Sequence, residues 1–114
     1  MSFALTTPQI LDRSKTVTRR KGWLFLKPGD RLWAVKKAMG LKKGEKVERL
    51  ALIEVVDVYR EQLFSIDDDD VIAEGFPGWT QTEFRDMYCE ANGGDDFQDC
   101  TRIQFKYVED HANG

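Results

Sequence analysis

Arg13-Ser14-Lys15-Thr16-Val17-Thr18-Arg19-Arg20 sets three β-favouring residues, Thr16, Val17 and Thr18, inside a basic run. β-branched centres favour pleated geometry, so 15–20 predicts an extended segment. Upstream, Thr7-Pro8 predicts a short helix, with Thr7 as cap and Pro8 at the first helical position. Ile10 and Leu11 would anchor it. Downstream, Lys27-Pro28-Gly29-Asp30 is a turn. Arg31 to Val35 follows as a strand, and 40–46 is a polar connection. Arg49 to Tyr59 is the strongest strand. Its apolar residues fall on both faces, which predicts burial on both sides.

The second half is punctuated by turn and cap signals. Asp67 to Asp70 reads as a solvated acidic loop, because four adjacent carboxylates cannot all converge on one metal ion. Ile72 to Phe76 predicts a short helix closed by Gly75 and Pro77. Thr80-Gln81-Thr82-Glu83 has capping-box spacing and predicts a helix to about Glu90. Phe84, Met87 and Tyr88 give it an apolar face, and Asn92-Gly93-Gly94 ends it. Thr101 to Val108 is a closing strand with Ile103, Phe105 and Tyr107 on one face. Strands at both ends with two or three short helices predict an α+β, mainly β domain, better drawn as a small barrel than as a doubly wound sheet. One domain spans 1–108, and 109–114 is a polar tail.

Composition narrows the function. The 114 residues suffice for one domain. Net charge is -3, yet it is unevenly placed. Residues 1–50 hold 13 Lys and Arg against 4 Asp and Glu, a balance of +9, and residues 51–114 hold 4 against 16, a balance of -12. Such a division predicts an anion-attracting face around 13–21 and an acidic, solubilising back. A second basic cluster, Lys36, Lys37, Lys42, Lys43 and Lys46, reads as solvated surface extending that field. No apolar run approaches a membrane span and no secretory signal opens the chain, so a cytoplasmic location is expected. Cys89 and Cys100 are expected as free thiols. His111 is the single histidine and lies in the tail, so neither a zinc site nor a histidine-based triad is expected.

The 13–20 segment gains meaning from its company. With Lys27-Pro28-Gly29-Asp30, Ala73-Glu74-Gly75-Phe76, Thr82-Glu83-Phe84 and Arg102-Ile103-Gln104-Phe105, it resembles the ASCH domain family over about residues 3–108. The resemblance implies a PUA-like β-barrel with short helices packed on it. The Thr16-Val17-Thr18-Arg19-Arg20 form and the Glu74-Gly75-Phe76-Pro77 segment are similar to small ASCH proteins of phages and prophages. The family signature is a glycine, a lysine two positions on, an acidic or hydroxyl residue three further, and an arginine two beyond. Lys15, Thr18 and Arg20 fill the last three places, and Arg13 stands where the glycine usually is. One branch removes the acetyl group from N4-acetylcytidine with a lysine, a threonine and a distant glutamate. Lys15, Thr18 and Glu74 match those positions, and the resemblance implies neither metal nor cofactor. Other members are considered RNA-binding modules or ribonucleases. A phage accessory protein that binds a host protein through its acidic half is a further alternative.

Elementary chemistry sets the conditions. Neutral lysine can take a threonine proton and make its oxygen a nucleophile. Burial and neighbouring arginines would lower the lysine pKa, whereas an ionised Glu74 would raise it. Positions i and i+3 of a strand face opposite ways, so Lys15 and Thr18 need a bulge or turn to meet. Residue types alone favour an ordinary Lys15–Glu74 ion pair with Thr18 as a plain strand residue; the ordered motifs bring the functional reading level with it. The expected binding residues for RNA or a modified nucleoside are Arg13, Arg19, Arg20 and Lys21 for phosphate, with Trp23, Phe76 and Trp79 for stacking. Trp33 and Phe25 are expected in the core, and Trp79, after Pro77-Gly78, as a mobile wall.

Overall fold

The computed structural model describes residues 1–37 and 42–109. Its elements are α1 (Thr7–Leu11), β1 (Val17–Arg20), β2 (Arg31–Val35), β3 (Arg49–Gln62), α2 (Asp68–Ala73), α3 (Gln81–Asn92) and β4 (Asp99–Val108), with single 3-10 turns at Ala4–Thr6 and Leu63–Ser65. The strands form one antiparallel sheet in the order β1-β4-β3-β2. It is a curled, half-barrel sheet with three short helices, in keeping with the expected PUA-like class. Among the described residues no helix is long and apolar enough to cross a membrane. The tail beyond Glu109, with His111, lies outside the described residues, as do residues 38–41 of the polar connection.

Two register shifts bend the sheet, one between Ala34 and Val35 and one between Val55 and Asp57. The second corrects the reading of β3. Ile53 and Val55 are buried, but Val56 sits in the bulge and is 42% exposed. The strand is therefore buried chiefly on one face, because the extra residue steps the apolar alternation out of phase.

Three apolar clusters form the core. Phe3, Ile10, Ala34, Ile53 and Phe105 join α1 to the sheet. Leu26, Val55 and Ile103 form a second group. Leu63, Ile66, Val71, Phe84, Tyr88 and Cys100 bind α2 and α3 to the far end. Phe25 is a correction: it is 71% exposed, pairing at the surface with Trp23 at a ring separation of 5.5 Å. Trp33 is half-buried beneath Arg49, whose guanidinium lies 4.5 Å from the ring centre.

The acidic run is a second correction. Asp67 is the cap of α2 rather than part of a loop, its carboxylate accepting from the Asp70 amide at 2.8 Å. Asp68, Asp69 and Asp70 occupy the first turn, where negative charge meets the positive end of the helix dipole. The capping box at Thr80 and Glu83 forms as expected, with both reciprocal bonds present.

Candidate functional site

The local fold around Lys15 explains how it meets Glu74. The chain leaves α1 through Arg13, which adopts the left-handed conformation at φ 64°. Glycine takes that conformation without cost, which is what the usual residue at this place of the signature would supply. The turn swings Lys15 in before β1 begins, so strand alternation does not govern it. Its amide donates to the Gln9 carbonyl at 3.2 Å, and its carbonyl accepts from the Tyr107 hydroxyl at 2.6 Å. Thr16 ties the segment to the end of α2 through a 2.8 Å bond to the Ala73 carbonyl. Glu74 is the C-terminal cap of α2, and Gly75 follows at φ 100°. A Cβ at Gly75 would meet Gln9 Cγ at 2.8 Å, so this close approach of α1 and α2 requires glycine.

Lys15, Thr18 and Glu74 converge on one cavity of about 240 Å³. The lysine Nζ donates to Glu74 Oε1 and to the Glu74 carbonyl, each at 2.7 Å. Both residues are buried, so the pair is desolvated as well as close. Arg19 donates to Glu74 Oε2 at 3.0 Å. Thr18 Oγ1 accepts from Arg20 Nε at 3.1 Å, the i, i+2 spacing placing both on one face of β1. The remaining wall comes from Phe3 to Thr6, from Phe76, and from one side of α3 through Phe84, Met87, Tyr88, Ala91 and Asn92.

The electrostatics are set by burial against charge. Burial lowers the Lys15 pKa; Glu74 opposes this, and Arg20 and Arg19 reinforce it. Arg20 is lowered for the same first reason, with Glu74 opposing. For Arg19 burial is outweighed by Glu74, Asp70 and Glu61, so its charge is held more firmly than usual. Burial pushes the Tyr88 phenol up to about 12, with Cys100 and Glu74 adding to it.

The expected binding residues divide. Arg20 and Phe76 line the cavity. Arg19 lines it too, but its guanidinium is fully buried and engaged with Glu61, Asp70 and Glu74, so it does not present a phosphate contact. Arg13 lies outside, over the Tyr107 ring and paired with Glu109. Lys21 is exposed, away from the cavity, its carbonyl accepting from Arg60. Trp23 packs against the Leu26 cluster. Trp79 is not a cavity wall; it backs Phe76 at a ring separation of 4.5 Å. The α3 contribution was missed from the sequence, where Tyr88 read only as part of an apolar stripe. The Arg19 network was missed as well: Asp70 also takes two bonds from Arg102, at 2.7 and 2.9 Å.

A curled half-barrel sheet whose cavity lies between its first strand, the Ala4–Thr6 turn and α3 defines a class of small β-rich domain. No protein-family model and no curated protein matches the chain. Solved structures do. An ASCH domain from Lactobacillus crispatus superposes with a TM-score of 0.62 at 18% identity, covering 90% of this chain and 70% of that one. A DUF984 protein from Enterococcus faecalis gives 0.61 at 14% identity, covering 91% and 67%. A mutant ASCH protein from Zymomonas mobilis gives 0.56 at 11% identity, covering 92% and 69%. The chain has the ASCH-domain fold.

Proposed function

We propose that the cavity binds one modified nucleoside and hydrolyses an acyl amide on its base, as in N4-acetylcytidine. The observation that carries this reading is the convergence of Lys15, Thr18 and Glu74 on one cavity. At about 240 Å³ the space is smaller than the roughly 300–1,000 Å³ of drug-sized sites, which suits a base rather than a length of RNA. In the proposed reaction Thr18 Oγ1 bonds the acyl carbon and its proton passes to neutral Lys15. The C–N bond then breaks and Lys15 returns the proton to the leaving amine. Water hydrolyses the acyl-threonine ester, so the products are cytidine and acetate. Arg19, through its 3.0 Å bond to Glu74 Oε2, keeps that carboxylate in place beside Lys15. Free Cys89 and Cys100 accord with action in the reducing cytoplasm.

The test is purified protein with N4-acetylcytidine and a chelator. Wild type releases cytidine, Thr18→Ser retains part of the rate, and Lys15→Ala and Thr18→Val lose at least about 10²-fold. Equal release by Lys15→Ala would overturn the reading. A rate rising with pH through a value below the 10.5 of an ordinary lysine is expected, since the free-base form of Lys15 is the working one.

A second reading is single-stranded RNA binding. It is favoured by exposed Leu24 and Phe25, with the half-buried Trp23 ring beside Phe25, between Lys21 and Lys27. Stacking of a base there is worth about 1–3 kcal/mol, lost in Phe25→Ala, and binding falls with salt. RNA left intact but bound separates this reading from a ribonuclease.

A further inference from the structure

Among the described residues two buried side-chain polar atoms have no hydrogen-bond partner, Arg19 Nε and the Tyr88 hydroxyl. Both residues line the same cavity. Buried polar groups are satisfied in the great majority of cases, so an unanswered hydroxyl on a cavity asks for a cause. The Arg19 guanidinium is already held by Glu61, Asp70 and Glu74, whereas an acceptor from outside the chain would answer the Tyr88 hydroxyl.

Tyr88 is the more telling of the two. It is 3% exposed, held on α3 between Phe84 and Asn92, and packed in the Leu63 cluster. Its own carbonyl is fixed by the Asn92 side chain at 3.0 Å. Packing in that cluster holds the ring, and its polar tip has no hydrogen-bond partner among the described residues. The other polar groups nearby are largely engaged. Both oxygens of the Glu74 carboxylate receive donors, as does its carbonyl. Arg20 Nε is directed at Thr18. Tyr88 shares the cavity lining with Lys15, Thr18, Arg20 and Glu74, and the charges of Glu74 and Arg20 are among those that act on it. Burial keeps the phenol protonated, with a pKa of about 12, so it stays a donor at any ordinary pH.

We infer that Tyr88 is a binding residue of this cavity and that its hydroxyl donates a hydrogen bond to the carbonyl oxygen of the acyl group on the nucleoside. The inference rests on the reading proposed above. When Thr18 Oγ1 bonds the acyl carbon, the carbonyl π pair moves onto that oxygen, and the phenol donates to the growing charge. When the C–N bond breaks, the pair returns and the amine takes the proton from Lys15. Tyr88 remains a hydrogen-bond donor throughout and transfers no proton.

Tyr88→Phe is the variant that decides it. Removing an unpartnered hydroxyl leaves the packing intact, so its Tm is expected at or above that of wild type. Turnover of N4-acetylcytidine by wild type and Tyr88→Phe is measured together with equilibrium binding of N4-acetylcytidine and of cytidine, which lacks the acyl oxygen. The expected result is a loss of about 10²-fold in kcat, with affinity for N4-acetylcytidine weakened by about fivefold and affinity for cytidine unchanged. Unchanged turnover in Tyr88→Phe, with wild type active, would overturn the inference and leave the hydrolase reading standing. If wild type turns nothing over, the hydrolase reading fails and binding alone judges Tyr88. Selective weakening toward N4-acetylcytidine then supports it, and equal or absent binding overturns it. A buried structural role alone would lower Tm and would not distinguish the two ligands.

Discussion

At the scale of single residues, Arg13 shows how a side chain can occupy a glycine's place. Its left-handed backbone costs an L-residue roughly 1–2 kcal/mol. Against this stand its contact with the Tyr107 ring and an exposed pair with Glu109, each small at the surface. Arg13→Ala loses the contacts and keeps the strain, whereas Arg13→Gly loses the contacts and releases it. Arg13→Gly is therefore expected to be about 1 kcal/mol more stable than Arg13→Ala in urea unfolding. Equal stabilities would show that the turn is not strained. The side chain points away from the cavity, so neither variant should change the chemistry of Lys15 and Thr18.

At the scale of elements, α3 serves two ends. Its capping box satisfies the first turn, and its inner face supplies the far wall of the cavity. Thr80→Ala leaves the Glu83 amide unanswered and is expected to lower stability by about 1 kcal/mol, read as a shift in the urea midpoint at unchanged slope. The helix was legible in the sequence because cap, stripe and Gly93-Gly94 all agree. β4 was legible through the strict alternation of Ile103, Phe105 and Tyr107. The start of α2 was not: a run of aspartates is polar all round, and only the cap at Asp67 and the arginines facing Asp70 make it helical. The bulge at Val56 was hidden because one extra residue leaves no compositional mark. The Lys15, Thr18 and Glu74 set was visible only through family resemblance, since 59 residues separate Lys15 from Glu74. Arg19 read as a phosphate contact because its partners Glu61 and Asp70 lie 42 and 51 residues away.

At the scale of the molecule, the basic and acidic halves are knitted together rather than set back to back. Arg19 meets Glu61, Asp70 and Glu74, and Arg31 meets Glu54. Two of the expected positive groups, Lys15 and Arg19, are thus paired with carboxylates inside the fold. Acid titration should expose this. Arg102 lowers the Asp70 pKa to about 2 from 3.8; partial burial opposes and Arg19 assists. A depressed carboxylate stabilises the fold above its unfolded value, so that contribution is complete above about pH 4 and is lost as pH falls toward 2. After allowance for solvent screening it is on the order of 1 kcal/mol. Asp70→Asn should therefore be less stable than wild type at pH 6, with the gap closing by pH 2. A gap that persists at pH 2 would refute the assignment. The strand order has a kinetic consequence of its own. In the sheet β1 neighbours only β4, with Val17 opposite Gln104, so the first strand made has no partner until the last is complete. Such non-local pairing slows the search, toward the millisecond-to-second range of β-rich domains. During synthesis the Lys15–Arg20 segment must wait, unpaired, for residues 99–108, and the edge of β4 that completes the sheet is also the one that seats the strand carrying Thr18.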